Sequence, residues 1–152
     1  MAGNFIVFLM AAAVVYFFVF YGYPYIRRLM RGKGVVYIEP EDLEKQISAK
    51  KDMLMIDLRS SVEFYGMFGH IDGAINLPFE AFMARINETA DKLAGFKETP
   101  VVIIGVQDED NVFKAYTLLK RRGFSDVSIL NYGISRWLKR NLPTVERNVH
   151  KD

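Results

Sequence analysis

Residues 101–124 of the chain read VVIIGVQDEDNVFKAYTLLKRRGF. It begins as an apolar run, passes through a loop and continues as a helical pattern that ends at a glycine. A strand that delivers its loop to a helix N-terminus commonly holds an anion, because the helix presents free N–H groups there. This loop, GVQDEDN, has no Cys, Ser, His or Lys and carries three acidic residues. It therefore has the placement of an active-site loop without the residues that perform such chemistry.

Short runs rich in β-forming residues recur along the chain, with helical patterns between them. The runs cover residues 35–38, 53–58, 74–76, 101–106 and 127–130. Strands that alternate with helices favour an α/β domain whose mainly parallel sheet is covered on both faces. We therefore expect a five-stranded sheet flanked by helices.

Apolar residues at helical spacing predict three helices between these strands. The sets are Leu43 and Ile47 after Pro40; Met83, Ile86, Ala90 and Leu93; and Val112, Ala115 or Tyr116, and Leu119. Asp110 or Asn111 is expected to cap the third helix, and Gly123 is expected to end it.

The N-terminal part of the chain is apolar. Residues 1–26 contain no Asp, Glu, Lys, Arg or His, and residues 5–26 are apolar apart from tyrosines, one glycine and one proline. A helix of about 20 residues crosses the hydrocarbon of a bilayer, so we predict one transmembrane helix at 1–26. A cleaved signal peptide is disfavoured, because the run is too long, no basic region precedes it and no small-x-small site follows it.

A basic cluster follows this predicted span. Arg27, Arg28, Arg31 and Lys33 lie in the segment 27–34, for which we predict a short basic hinge next to the membrane. Positive charges on one flank favour the cytoplasmic side for that flank. We therefore expect an N-terminus outside and a cytoplasmic C-terminal domain at 35–152. The cluster should also contact anionic lipid headgroups of the bilayer.

The remaining composition excludes several classes of function. Without the four basic residues of the hinge, 16 Lys and Arg stand against 18 Asp and Glu, a net charge of −2 for residues 35–152. Nucleic-acid binding needs a clustered basic face on the domain itself, and we expect none. The sequence contains no cysteine, which excludes disulfides, thiolate metal sites and thiol catalysis. No cofactor and no metal are expected.

Three ordered motifs resemble the rhodanese-like family over residues 35–145. MIDLRSSVEF (55–64) is similar to the family's apolar-Asp-x-Arg run followed by Glu and an aromatic residue. GHIDGAINLP (69–78) resembles its Gly-His-Ile-Pro-Gly-Ala-Ile-Asn-x-Pro segment, with Asp72 in place of the usual proline. GFSDVSILNYGISRWLKRNLP (123–143) resembles its closing elements. The resemblance implies a rhodanese-like domain at 35–152.

The chain departs from this family at the site of catalysis. In the family the fourth strand ends at a cysteine, surrounded by a loop of backbone N–H groups. Alignment on Gly123 and Phe124 without a gap places Val106 at that position, whereas a one-residue gap places Gly105 there. Neither side chain is a nucleophile, and the loop acids would repel an oxyanion. The degenerate active-loop positions are Gly105, Val106, Gln107, Asp108, Glu109, Asp110 and Asn111.

Two more departures lie near the site. EFYGMFG (63–69) is two residues longer than the family spacing, so we expect a turn that carries exposed aromatic residues as a contact surface. Tyr132 replaces the first of the family's paired glycines. We expect it to alter or block the backbone path beside the pocket.

Other residues with chemical potential have structural interpretations. His70 is expected to form a hydrogen bond beneath a turn, Asp57 and Arg59 to pair and tie strand to loop, and Trp137 to pack the last helix on the sheet. The acids at 108–110 are expected to form a solvated loop that also favours the positive end of the following helix. A divalent-cation site there is the less favoured interpretation, because hard cations need several converging oxygens.

These observations predict a catalytically inactive, membrane-tethered rhodanese-like domain that acts as an accessory or interaction subunit of an integral membrane protein complex. The general resemblance to small membrane-anchored rhodanese-like proteins implies a bacterial inner membrane. The alternatives are a small-ligand or metal-binding protein, or a residual sulfur-carrier-related role, that uses the acidic loop at 107–111. A chaperone-like or translocon-associated factor would differ from the first prediction in its partner alone.

Overall fold

The computed structural model describes residues 2–88 and 94–145 of the chain, which divides into two compact units, Met1–Gly34 and Val35–Asp152. Helix α1 (Ala2–Phe17) leads through a π-helical turn (Phe18–Gly22) into helix α2 (Tyr23–Arg31). The continuous helical stretch Asn4–Arg31 has a mean hydropathy of 2.4 and is long and apolar enough to cross a membrane. Within residues 2–88 and 94–145, this stretch is the one candidate membrane-spanning helix.

The π-helical turn and the end of this helix have local causes. Tyr23 N–H donates to the Phe18 carbonyl, and the following Pro24 has no N–H with which to continue the normal pattern. The helix then runs to Arg31, because Arg, Leu and Met favour helix, and Gly32 terminates it. The segment 27–34 predicted as a hinge is therefore helical over its first part and a turn only at 32–34.

The second unit contains the five predicted strands. They are β1 (Tyr37–Ile38), β2 (Leu54–Asp57), β3 (Ile75–Asn76), β4 (Val101–Ile104) and β5 (Val127–Leu130). Every pair of neighbours is parallel, in the order β1-β5-β4-β2-β3. The prediction of a five-stranded, mainly parallel sheet is confirmed.

The helices of this unit include the three predicted from apolar spacing. They are α3 (Pro40–Ser48), α4 (Ser61–Phe64), α5 (Phe79–Glu88), α6 (Asp110–Arg121) and α7 (Gly133–Lys139), with a 3₁₀ turn at Ala94–Phe96. Met83 and Ile86 lie in α5, whereas Ala90 and Leu93 of the same predicted set fall outside the described residues.

The ends of α6 confirm one expectation and correct another. Glu109, rather than Asp110 or Asn111, is the N-cap residue, and its side chain caps no helical N–H. At the other end Gly123 has φ +90°, as expected for the residue that ends a helix. Phe124 N–H donates to the Leu119 carbonyl and Gly123 N–H to the Lys120 carbonyl, which is the Schellman pattern.

Two hydrophobic clusters cover the two faces of the sheet. On one face the sheet packs against α5 and α6, where Phe82 and Leu119 are 1% exposed. On the other face it packs against α3 and α7, where Leu43 and Trp137 are 0% and 1% exposed. Trp137 Nε1 donates to the Pro143 carbonyl at 2.9 Å. The prediction that Trp137 packs the last helix on the sheet is confirmed.

Candidate functional site

A cleft lies at the carboxyl edge of the sheet, beside the ends of β2 and β4. In open parallel sheets this is the edge at which ligands usually bind. The cleft has a volume of about 240 Å³ and is lined by Leu58, Arg59, Ser60, Glu63, Pro78, Phe79, Glu80, Gly105, Val106, Glu109, Asn111 and Val112. Four of the predicted loop positions, Gly105, Val106, Glu109 and Asn111, therefore meet at one site.

The two candidate positions for the missing cysteine differ in the space around them. A Cβ at Gly105 would lie 2.5 Å from Val112 Cγ2 and 2.9 Å from the Gln107 carbonyl oxygen. Val106 is half-buried and lines the cleft with a side chain already in place. A nucleophile could therefore occupy position 106, whereas a side chain at 105 would require the loop to shift.

Two acids of the loop accept hydrogen bonds from backbone N–H groups. Glu109 Oε1 accepts a hydrogen bond of 3.0 Å from Gln107 N–H, and Asp108 Oδ1 accepts one of 2.9 Å from Tyr132 N–H. Asp110 lies in the first turn of α6, where a negative charge favours the helix dipole. The expectation of a simply solvated acidic loop is thus wrong for Asp108, which is half-buried and joins the loop to the segment before α7.

The start of α7 packs directly on the loop. Ile134 N–H donates to the Gly105 carbonyl at 2.9 Å, and Ser135 N–H donates to the Val106 carbonyl at 3.1 Å. Gly133 has φ +54°, and a Cβ there would lie 2.4 Å from the Gly105 carbonyl oxygen. Position 133 therefore requires glycine, and the two hydrogen bonds hold the loop against the start of α7.

Tyr132 does not block the cleft. Its φ of +56° lies in the left-handed region that a glycine would favour. The side chain lines a separate shallow depression with Gln107, Ser135, Arg136 and Lys139. There Arg136 Cζ lies 4.4 Å from the centroid of the Tyr132 ring. Tyr132 is thus not among the residues that line the cleft, and the expectation that it blocks the path beside the pocket is wrong.

The cleft has an acidic lining. Glu63, Glu80 and Glu109 contribute carboxylates, and Arg59 is the one cation among its lining residues. A hydrogen bond from the Ser60 side chain is the main cause that lowers the pKa of Glu63, aided by the Ser60 backbone N–H and opposed by burial. Glu63 is therefore ionised at neutral pH.

Asp57 neutralises Arg59. Arg59 Nη2 lies 2.7 Å from Asp57 Oδ2, with the two side chains 4% and 0% exposed. Arg59 Nη2 also donates to the Gly69 carbonyl at 3.1 Å, and Asn76 Nδ2 donates to the Arg59 carbonyl at 2.8 Å. The prediction of a buried pair that ties strand to loop is confirmed.

His70 has the structural role predicted for it. Its Nδ1 lies 3.1 Å from the Phe64 carbonyl oxygen, and its ring stacks on Phe64 with the centroids 3.8 Å apart. Its backbone forms an isolated bridge with Val145. Within residues 2–88 and 94–145, no three His, Asp or Glu side chains converge as metal ligands.

Glu63 and Glu80 line the cleft although the sequence did not lead us to expect them there. Ser60 and Glu63 form a capping box at the start of α4, and the Ser-x-x-Glu spacing is a recognisable signal for this motif. That signal could have placed Glu63 at a helix start just after β2. No comparable local pattern indicates Glu80. It lies in the first turn of α5, which the connection from β3 brings to the cleft.

Comparison with known proteins agrees with this geometry. The profile of the Rhodanese-like domain family matches residues 39–140. The uncharacterized protein YibN of Escherichia coli (strain K12) is 33% identical over 100 residues, which is 63% of this chain and 63% of YibN. The match thus spans less than two thirds of that relative. Thiosulfate sulfurtransferase 16, chloroplastic, of Arabidopsis thaliana is 32% identical over 94 residues, 59% of this chain and 77% of that protein.

Solved structures show the same fold. The polysulfide-sulfur transferase homodimer of Wolinella succinogenes has a TM-score of 0.63 at 20% identity, over 90% of this chain and 97% of that chain. The rhodanese-like domain of the Anabaena protein Alr3790 has a TM-score of 0.59 at 22% identity, over 76% of this chain and 83% of that chain.

Proposed function

We propose that this chain, which belongs to the rhodanese-like domain family, is a catalytically inactive, membrane-tethered accessory subunit of an integral membrane protein complex. The domain acts by binding a partner protein, and the N-terminal helix holds it at the membrane. A cytoplasmic domain at a bacterial inner membrane is part of the proposal.

The observation that carries the proposal is the hydrogen bond from Gln107 N–H to Glu109 in a chain without cysteine. Sulfur transfer of the family's type needs a thiolate to accept the sulfur atom. Positive charge around the thiol favours the thiolate by lowering the thiol pKa. Here an N–H of the loop is occupied by the protein's own carboxylate. The site therefore lacks the nucleophile and carries an internal anion near the place of the substrate anion.

The electrostatics of the cleft support the same conclusion. Glu63, Glu80 and Glu109 line it, and the guanidinium of Arg59 is already paired with Asp57. A thiosulfate ion that entered would meet like charges in a partly buried space, where repulsion is stronger than in bulk water. The thiosulfate sulfurtransferase of Arabidopsis thaliana is similar to this chain over 94 residues. The loop at 105–111 of this chain, however, has neither a thiolate nor a positive charge with which to perform that protein's reaction.

The N-terminal segment supports the membrane tether. One helical stretch is long and apolar enough to span a bilayer, and Arg27, Arg28, Arg31 and Lys33 follow its apolar part. The positive-inside bias favours a cytoplasmic location for the domain. A domain tethered in this way meets other membrane-bound proteins at a high effective concentration, so that weak contacts suffice for association.

The test is to solubilise native membranes in a mild detergent and follow the chain by size-exclusion chromatography. Co-migration with a defined set of integral membrane proteins is expected. Glu109→Lys should weaken this association if the acidic cleft faces the partner, whereas Asp126→Lys, an exposed residue just before β5, is the matched control. A chain that migrates alone as a monomer under every gentle condition contradicts the proposal.

A second candidate function is small-ligand binding by the loop at 107–111, which the cleft of about 240 Å³ favours. Its acidic lining selects a small cation such as an amine. The residual sulfur-carrier variant lacks a thiol to hold the sulfur atom. Calorimetric titration of the full chain with alkylamines and with Mg²⁺ and Ca²⁺ separates this candidate from the first, since the accessory subunit should give no saturable heat.

A further inference from the structure

The segment between β2 and β3 exposes a group of large apolar side chains. Val62 is 84% exposed, Met67 80%, Phe68 61% and Tyr65 50%. We call these four residues the apolar knob. Among the other described residues of 35–145, the large hydrophobic residues that are similarly exposed are the scattered Val36, Ile75 and Phe96. Exposed apolar side chains concentrated in one short segment commonly mark an interaction surface.

The backbone holds the apolar knob in a fixed shape. The capping box of Ser60 and Glu63 starts α4, and Phe64 is 2% exposed in the core. Gly66 N–H donates to the Glu63 carbonyl and Gly69 N–H to the Gly66 carbonyl. A Cβ at Gly66 would lie 2.7 Å from the Val62 carbonyl oxygen, so the turn requires glycine. A preorganised surface loses little conformational entropy when it binds.

The apolar knob and the acidic cleft are connected through Glu63. Glu63 lies between Val62 and Tyr65 of the knob and also lines the cleft with Glu80 and Glu109. A partner that binds the knob would therefore meet apolar side chains next to a carboxylate of the cleft. Charge complementarity then calls for basic side chains on the partner, beside an apolar groove.

The charge of the cleft argues against lipid as the occupant. Anionic headgroups would be repelled by the carboxylates of Glu63, Glu80 and Glu109, which line the cleft.

We propose that the apolar knob and the acidic cleft form one docking surface for a protein that presents an apolar groove bordered by Lys and Arg residues. The proposal rests on the accessory-subunit function and identifies the surface and the chemistry of the partner. Met67 and Phe68 enter the groove, and Glu63 and Glu80 face the basic residues. The cleft thus recognises a cationic protein surface.

The experiment places the photoreactive amino acid p-benzoylphenylalanine at position 68 of the full chain in native membranes. The matched control places it at Phe96, which is 54% exposed in the 3₁₀ turn before β4, at the amino edge. Illumination should give a discrete protein adduct from position 68 and none from position 96. Mass spectrometry of the adduct should identify a partner peptide with Lys or Arg beside apolar residues.

Further measurements test the charge complementarity. Glu80→Lys should reduce the yield of the adduct severalfold, and so should high salt, because rim charges control association between complementary surfaces. Lipid adducts from position 68, equal yields from positions 68 and 96, or an acidic partner peptide would overturn the inference. If the unmodified chain still migrates with membrane proteins in that case, the accessory-subunit function survives and only the docking surface is wrong.

Discussion

Glu109 Oε1 accepts a hydrogen bond of 3.0 Å from the backbone N–H of Gln107, so the acidic loop binds its own backbone with its own carboxylate. In a loop that binds anions, such an N–H would face the substrate. This internal hydrogen bond explains how the strand, loop and helix at 101–121 keep their conformation without a cysteine or a bound anion. The carboxylate satisfies a donor that would otherwise need an external partner.

The first prediction concerns restoration of a thiol at position 106. Val106→Cys should remain without measurable thiosulfate:cyanide sulfurtransferase activity, because neighbouring carboxylates oppose formation of the thiolate. The pH dependence of its alkylation should give a thiol pKa above the ordinary value of about 8.5. Adding Glu109→Gln should lower that pKa. Substantial turnover by Val106→Cys alone would show that the carboxylates of the loop do not prevent thiolate formation.

The second prediction concerns the Asp57–Arg59 pair. Arg59→Leu leaves a buried carboxylate unpaired and should lower the free energy of unfolding by about 3–5 kcal/mol. Lys45→Leu removes an exposed pair, whose side chains are 74% and 61% exposed, and should change it by less than about 1 kcal/mol. Urea unfolding of the detergent-solubilised chain, followed by fluorescence of the single tryptophan, measures both. Equal effects would contradict the structural role of the buried pair.

The third prediction separates backbone strain from steric contact at two glycines. Gly123 (φ +90°) meets only the flexible side chain of Lys97, whereas a Cβ at Gly133 (φ +54°) lies 2.4 Å from a backbone oxygen. Gly123→Ala should cost about 1–2 kcal/mol, the penalty of a left-handed residue with a Cβ. Gly133→Ala should cost clearly more in the same unfolding assay. Similar losses would mean that the loop at Gly105 moves easily.

The fourth prediction is a pH dependence of stability at the capping box. Because the pKa of Glu63 is lowered in the folded protein by its hydrogen bonds from Ser60, its charge stabilises the fold above the ordinary carboxyl pKa. That stabilisation should disappear as the pH falls through the lowered pKa. The difference in unfolding free energy between the wild type and Glu63→Gln should thus shrink on acidification. In a Ser60→Ala background the same comparison should depend less on pH, and an unchanged dependence would exclude Ser60 as the cause.

The fifth prediction concerns orientation in the membrane. Because the chain has no cysteine, Lys51→Cys introduces a unique and exposed thiol in the domain. An impermeant thiol reagent should label it after lysis and not in intact cells. Neutral residues at Arg27, Arg28, Arg31 and Lys33 should increase labelling in intact cells, since these charges favour the cytoplasmic side. Full labelling of the parent variant before lysis would invert the orientation.

Much of the fold could be predicted from local patterns. The five strands, the helices that carry Leu43, Ile86 and Leu119, and the role of Gly123 follow from apolar spacing and from residues that end helices. These signals act between neighbours in the chain, and each segment carries its own. The capping of α6 was predicted incorrectly, because the helix already begins at Asp110 and its N-cap residue is therefore Glu109. The Glu109 side chain binds Gln107 N–H rather than a helical N–H.

Local sequence patterns were enough to establish the class of the domain, the absence of cysteine and the presence of an apolar segment long enough to span a bilayer. The tertiary structure decided which side chains share the cleft, because Glu63, Glu80 and Glu109 come from three separate connections that meet only when parallel strands align their carboxyl ends. It also decided that Asp108 would bind Tyr132 and that position 105 has no room for a side chain. Such contacts join residues distant in the chain, and their distances are set by packing rather than by any local pattern.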